Sequence, residues 1–261
     1  MPTPLEVLID PVTIGQLIIY AVLITVEVLW PARQLARVRG WYIKTAGFFI
    51  LYFYLATYLP LLWDPYLAHY QIVSLESVHP ILSILLALFV FELLIYLWHR
   101  AMHKSRVLWR VFHQMHHSAE RVDTFGAFYF SPLDMIGFTL VGSFALTIGV
   151  GLAPEAITWF LFITMFLVVF QHTNIKTPQW LGYFIQRPES HSVHHRRGVH
   201  AYNYSDLPIV DIIFGTFNNP RNFVEEVGFY KGASKRLGDM LMFRDIATEK
   251  LDSESVKTTL L

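Results

Sequence analysis

The sequence predicts an all-α polytopic membrane protein of four to five transmembrane helices, with a helical cap on the cytoplasmic side that carries a cluster of histidines. Three observations lead there. Hydrophobic residues make up 54% of the 261 and charged residues only 15%, with a mean hydropathy of +0.42, which is too apolar for an ordinary soluble domain. Five stretches approach the roughly 20 apolar residues that a helix needs to cross a hydrocarbon core of about 30 Å. Most of the 12 histidines fall in short clusters just after two of those stretches.

In chain order, the spacing predicts spans near 12–30, 41–63, 80–98, 131–152 and 154–170. Only GLAPE, around Pro154, separates the last two, so a tight hairpin is expected with both ends on one side. The opening MPTPLEVLID lacks the basic start of a cleavable signal peptide. Neither an internal repeat nor a low-complexity linker interrupts the chain. One membrane-embedded domain over 1–261 is expected, with 221–261 as a polar surface segment ending in a frayed tail.

Charge supplies the orientation. Residues 1–11, the loop DPYLAHYQIVSLESVH and the turn at Pro154 contain no Lys or Arg; all 20 fall in 31–44, 99–130 and beyond 171. Five alternating crossings place those segments on one face, which the positive-inside rule makes cytoplasmic, in a bacterial inner membrane or the endoplasmic reticulum. A formal net charge of zero and a pI near 7.2 argue against a nucleic-acid partner. The absence of cysteine excludes disulfides, thiolate zinc sites, iron–sulfur ligation and cysteine nucleophiles.

The histidines sit on that same face. His99 and His103 lie where the third span emerges, in HRAMH; His113, His116 and His117 follow in HQMHH; His172 ends the fifth span; and His191, His194 and His195 form HSVHH. Helical residues at i, i+3 and i+4 share a face, so the expectation is a cage of two facing triplets, one pair and His172. A single ion takes about four to six ligands, and imidazole suits iron, copper and zinc. Nine ligands therefore suit two ions. A lone histidine at an interface is more often just a polar tip in headgroup water, and that reading is kept for His69 and His79, which fall on the opposite face. His200 is on the correct face but outside the triplet spacing, and is a candidate outer partner.

The order HRAMH, HQMHH, an isolated histidine in FQHTNI, then HSVHH resembles the fatty acid hydroxylase and sterol desaturase superfamily of membrane oxygenases. The likeness runs from about Glu92 to Phe217 and includes ELLIYLWHR before the first box and NYSDLPIVDIIFGTF after the last. The resemblance implies two iron ions held by His99, His103, His113, His116, His117, His172, His191, His194 and His195, with zinc possible in purified samples. It also implies O2-dependent hydroxylation or desaturation of a sterol, fatty acyl, sphingoid or ether lipid. Where many relatives carry asparagine, and then arginine with histidine before a proline, this chain has Asp123, Tyr129 and Ser131 before Pro132. That stretch is expected to border the substrate.

Further expectations concern the surroundings of the cage. Ligand imidazoles usually donate their second N–H to an outer acceptor, and Asp123, Asn174, Asn203, Asp206 and Asp211 are candidates. Glu92 lies about two turns, or roughly 10 Å, before His99, as either a functional or a structural acid; Glu27 reads as structural. Trp98, Trp109 and Trp180 fit an aromatic belt. A dry cavity is expected just beneath the cytoplasmic interface, open sideways to lipid. Electrons are expected from an external reductase or small redox carrier, because the chain shows neither cysteine nor a Gly-rich nucleotide fingerprint. The alternatives are a non-catalytic metal-binding membrane protein or a haem-binding electron carrier.

Overall fold

The computed structural model describes residues 1–247; residues 248–261, and with them the expected frayed tail and cytoplasmic C-terminus, lie outside the described residues. Helix α1 (Pro4–Ile9) opens on a capping box between Thr3 and Glu6, and α2 (Pro11–Leu29) is capped by Asp10. Helix α3 (Trp41–Leu67) runs through Pro60 and Pro65, so it extends beyond the expected end at 63. A short strand β1 (Val73–Ser74) precedes α4 (Pro80–Lys104), and α4 continues past the expected span to carry HRAMH on the helix itself.

Beyond α4 the chain forms the cap. Helix α5 (Arg106–Leu108), a π-turn (Trp109–His113) and α6 (Gln114–His117) follow in immediate succession. Helix α7 (Pro132–Ser143) descends and passes through a second π-segment (Phe144–Gly149) into β2 (Val150–Gly151), which pairs in parallel with β1. Helix α8 (Pro154–Phe170) returns to the cap, where α9 (Pro188–His194), α10 (Pro208–Ile213) and α11 (Leu237–Leu241) complete the helical elements.

Helices α2, α3, α4 and the α7 stretch are each long and apolar enough to cross a membrane, while α8, with 17 residues, is shorter. Their outer surfaces agree. Only 6% of the apolar window of α3 is buried inside the protein, and Ile43, Ile81 and Leu85 stand exposed, an arrangement that water would penalise and lipid would not.

The expected hairpin keeps both ends at the cap, but its two helices do not pack side by side. Among the membrane helices, α7 packs on α3 and α4, and α8 on α2 and α4, so the two flank α4. Going around, α2, α8, α4, α7 and α3 form a ring, and the stack of Tyr20 on Phe49 (4.7 Å between ring centroids) joins α2 back to α3. The segment 221–247 is more than a surface strip: Ala233, Met240 and Ile246 are buried against Trp41, Met115 and Tyr129, which clamps the base of α6 to the start of α3.

Candidate metal centre

All nine expected histidines converge. Eight are buried, and His103, only partly exposed, keeps both ring nitrogens buried. They form two groups, His99, His103, His113, His117 and His194 in one and His116, His172, His191 and His195 in the other, each with its ligand atoms within 4.8 Å of one another. The groups share a wall, since the His117 and His195 rings stack at 4.3 Å.

The triplets HQMHH and HSVHH do not face each other intact; each is split between the groups. The reason is helix phase. Residues four apart differ by about 40° around the axis, whereas neighbours differ by about 100°. His113 and His117 therefore point into the first group and His116 into the second; likewise His191 and His195 point into the second and His194 into the first. The pair His99 and His103 completes the first group.

Four outer hydrogen bonds orient the rings. His99 Nδ1 donates to the Tyr204 carbonyl at 2.7 Å, His194 Nδ1 to the Tyr202 carbonyl at 2.9 Å, His172 Nδ1 to the Val168 carbonyl at 2.7 Å, and His113 Nδ1 to Asp134 Oδ2 at 2.7 Å. Each bond commits the proton to Nδ1 and leaves Nε2 with its lone pair. Asp134 was not among the expected acceptors, although an acid three residues into an apolar span was a visible signal.

The expected acceptors act one step further out. Asp211 takes the backbone N–H of Tyr204 and Ser205, and Asn203 spans the carbonyls of Ser190 and Asn218. Tyr202 and Asn203 both adopt left-handed backbone, φ 70° and 55°, a local cost that these bonds hold in place and that presents the Tyr202 and Tyr204 carbonyls to their rings. Glu92 accepts from Asp206 N and Leu207 N, anchoring the same loop from within α4. Glu27 accepts from Thr124 N and Asn174 N and so ties down the loop after His172. Asp123 receives Trp41 Nε1 and Gly126 N, and Asn174 donates to the Arg33 carbonyl.

Sequence reasoning also passed over Arg187 and Glu189. Both are fully buried, paired at 3.0 Å and joined to Thr177, and they fix the first turn of α9, the helix that carries HSVHH. Trp109 is not a belt residue. It is buried beside His103 and His117, with the exposed His200 packed on its other side at 4.5 Å, while Trp180 does stand exposed. His69 and His79 are exposed at the far end of α4, as expected.

These residues fit metal ions. The Nε2 atoms of His99, His103, His113, His117 and His194 are buried without a hydrogen-bond partner, an arrangement that costs free energy unless something else meets the lone pairs. In the second group, His172 Nε2 lies 3.2 Å from His116 Nε2 and 3.0 Å from His191 Nε2, and His195 Nε2 lies 3.0 Å from His191 Nε2. Nitrogens at roughly 2.1 Å from one ion stand about 3.0–3.4 Å apart, so the spacing is that of a coordination polyhedron. Burial, reinforced by neighbouring imidazoles, holds His113, His116, His117, His191, His194 and His195 well below the usual histidine range, and burial brings His172 to about 4. Neutral imidazole is the form that binds metal.

A cavity of about 660 Å³ leads to the centre. Instead of lying just beneath the interface, it runs lengthwise through the helix ring, from Glu6 and Asp10 at the far end to His99, His113, His116, His172 and His191. Its wall on α3 extends from Phe49 to Leu61, about 18 Å at 1.5 Å per residue. Phe128 and Phe130, from the stretch expected to border the substrate, line it, whereas its three divergent positions do not. Tyr129 turns away to pack on Trp41 and Phe48, Ser131 caps α7, and Asp123 caps the turn at Thr124.

Residues 84–216, just over half of the chain, match the sequence profile of the fatty acid hydroxylases. The chain belongs to the fatty acid hydroxylase family. Among curated relatives, family resemblance extends to a rice very-long-chain aldehyde decarbonylase GL1-9 (Oryza sativa subsp. indica), 31% identical over 155 residues, or 56% of this chain and 58% of that one. The ornithine lipid hydroxylase OlsE of Rhizobium tropici is 28% identical over 53% of this chain and 42% of its own. The sphingolipid C4-hydroxylase sur2 of Schizosaccharomyces pombe is 24% identical over 55% and 50% respectively. The chain thus spans about half the length of the curated relatives it matches. No solved structure matches it.

Proposed function

We propose that this chain is a membrane-bound, O2-dependent lipid oxidoreductase whose nine clustered histidines hold two metal ions, iron in the cell and iron or zinc after purification. The observation that carries the reading is the meeting of two groups of buried imidazoles with the inner end of a long apolar cavity. Bound there, a metal pair would supply the O2 chemistry that attacks a C–H bond. The protein does the rest. Aromatic walls such as Phe130 and Phe138 hold an aliphatic chain and keep water from the reacting carbon. The carbonyls of Tyr202, Tyr204 and Val168, with Asp134, keep the rings aimed.

The substrate is a lipid, whether sterol, fatty acyl, sphingoid or ether lipid, and the outcome is hydroxylation or desaturation; the lipid hydroxylases among the relatives support that class. Electrons come from an external reductase or small redox carrier, because the chain has no cysteine to bind an iron–sulfur centre. The centre faces the cytoplasm, as the one-sided distribution of Lys and Arg supports. Membranes containing the protein and a reductase system are expected to transfer labelled oxygen from O2 into a lipid, or to form a double bond with coupled O2 uptake. Repeated turnover of the isolated protein without O2 or an electron donor would sink the proposal in favour of a hydrolytic zinc site.

A further inference from the structure

The cavity is apolar for most of its length, yet close to the metal centre it is lined by two hydrogen-bonding side chains, Gln171 and Asp206. Gln171 Nε2 donates to Asp206 Oδ1 at 2.5 Å. Asp206 is held from behind, since its own backbone N–H and that of Leu207 donate to Glu92, a fully buried acid of α4. The dyad also sits next to the centre in the chain, because Gln171 directly precedes His172. Among the described residues, Asp206 Oδ2 has no hydrogen bond and is not sealed from the cavity.

The acids at the other end of the cavity are differently employed. Asp10 Oδ1 accepts from Val12 N and Thr13 N as the cap of α2, and Glu6 Oε2 accepts from Thr3 N in the capping box of α1. Both are exposed. The far end therefore holds exposed carboxylates engaged in capping helices, whereas Asp206, at the end beside the histidines, is half-buried and caps no helix.

We propose that Asp206, positioned by Gln171 and Glu92, selects lipids that carry a hydrogen-bond donor, a hydroxyl or an amine, within a few carbons of the bond to be oxidised, with the tail lying along the cavity toward α1. This rests on the lipid oxidoreductase reading above and adds to it a substrate chemistry and an orientation. A carboxylate attracts an O–H or N–H donor and repels a carboxylate or phosphate placed at the same point. Asp206 is a positioning residue in this account, since it is assigned no part in the oxidation.

The test is an equilibrium one and needs no turnover. Displacement of a fluorescent lipid analogue from the purified protein in detergent is measured with hexadecanol, hexadecylamine, hexadecane and palmitate, and metal content is determined on every sample. The alcohol and the amine are expected to bind about tenfold more tightly than the alkane, as one charge-assisted hydrogen bond allows, and palmitate no better than the alkane. Asp206→Leu should abolish that preference while leaving the alkane affinity and the metal content as in wild type. Asp206→Asn should keep the preference for the alcohol, through its amide oxygen, and lose the preference for the amine. Equal binding of alcohol and alkane by the wild type, a preference for palmitate, or a preference that survives in Asp206→Leu would overturn the proposal. Should Asp206→Leu fail to fold, the wild-type series and Asp206→Asn decide it. Failure of the oxidoreductase reading would show separately, as absent metal or absent oxygen transfer beside an intact ligand preference.

Discussion

His116 and His117 are adjacent in sequence yet serve different groups, and the same holds for His194 and His195. Single substitutions should therefore act on one metal at a time. His103→Ala and His172→Ala, one from each group, are each expected to lower the metal content from two ions toward one per chain by elemental analysis and to remove oxygen transfer. His69→Ala and His79→Ala should leave both unchanged, and full metal retention in His103→Ala and His172→Ala together would reject the assignment. Protons supply a second test. The cap histidines have folded pKa values below the ordinary 6.5, so metal-free protein binds fewer protons folded than unfolded. Their contribution to stability is complete above about pH 6.5 and is lost as the pH falls from there toward about 4, the value of His172. Melting of metal-free protein across pH 4–8 should follow that course. For the same reason, metal binding at pH 7.5 should release few protons, as read from calorimetry in buffers of different ionisation enthalpy.

At the scale of elements, the centre depends on short cap helices held by groups outside them. Helix α9 has only seven residues, too few to be stable alone, and the buried pair of Arg187 and Glu189 fixes its first turn. Arg187→Ala leaves the buried Glu189 with only the half-exposed Lys176, at 3.9 Å, as ion partner and should cost about 3 kcal/mol, seen as a lower melting temperature and as loss of metal from both groups, because α9 supplies ligands to each. Helix α7 packs Phe138 on His99 and His113 and supplies one hydrogen bond to the ligands, Asp134 to His113. Asp134→Ala frees that ring and should weaken metal binding about 10–100-fold, measured by competition with a chelator. The fold should survive, since the cap bond of α7 comes from Ser131 Oγ and not from the Asp134 side chain.

The whole molecule separates its two ends sharply. Loops at the α1 end carry no Lys or Arg, whereas the histidine end carries the basic residues of the cap. The absence of native cysteine makes this directly measurable, since any introduced thiol is the sole one. In intact bacterial cells, Glu76→Cys is expected to react with a membrane-impermeant maleimide, and Lys235→Cys only after permeabilisation. The reverse pattern would place the centre outside. The lengthwise cavity also matters at this scale. Its α3 wall of about 18 Å is longer than half of a roughly 30 Å hydrocarbon core, so it can enclose a chain longer than one leaflet accommodates.

Much of this was legible in the residues alone. Apolar run length marked the five helices, Lys and Arg placement marked the two ends, and local spacing marked all nine histidines, because each of these signals is carried by neighbours along the chain. The order of the boxes sufficed to suggest the family. What only the tertiary structure decided is how those parts meet. The division of HQMHH and HSVHH between two groups depends on helix phase within the assembled cap. The Tyr204 carbonyl that orients His99 lies 105 residues away, and a backbone acceptor leaves no mark in residue type. The Asp134 partnership and the loop-anchoring roles of Glu27 and Glu92 likewise join segments distant in sequence. The cavity exists only because α8 and α7 flank α4 and close a ring, an outcome of packing shape that hydrophobicity along the chain does not encode.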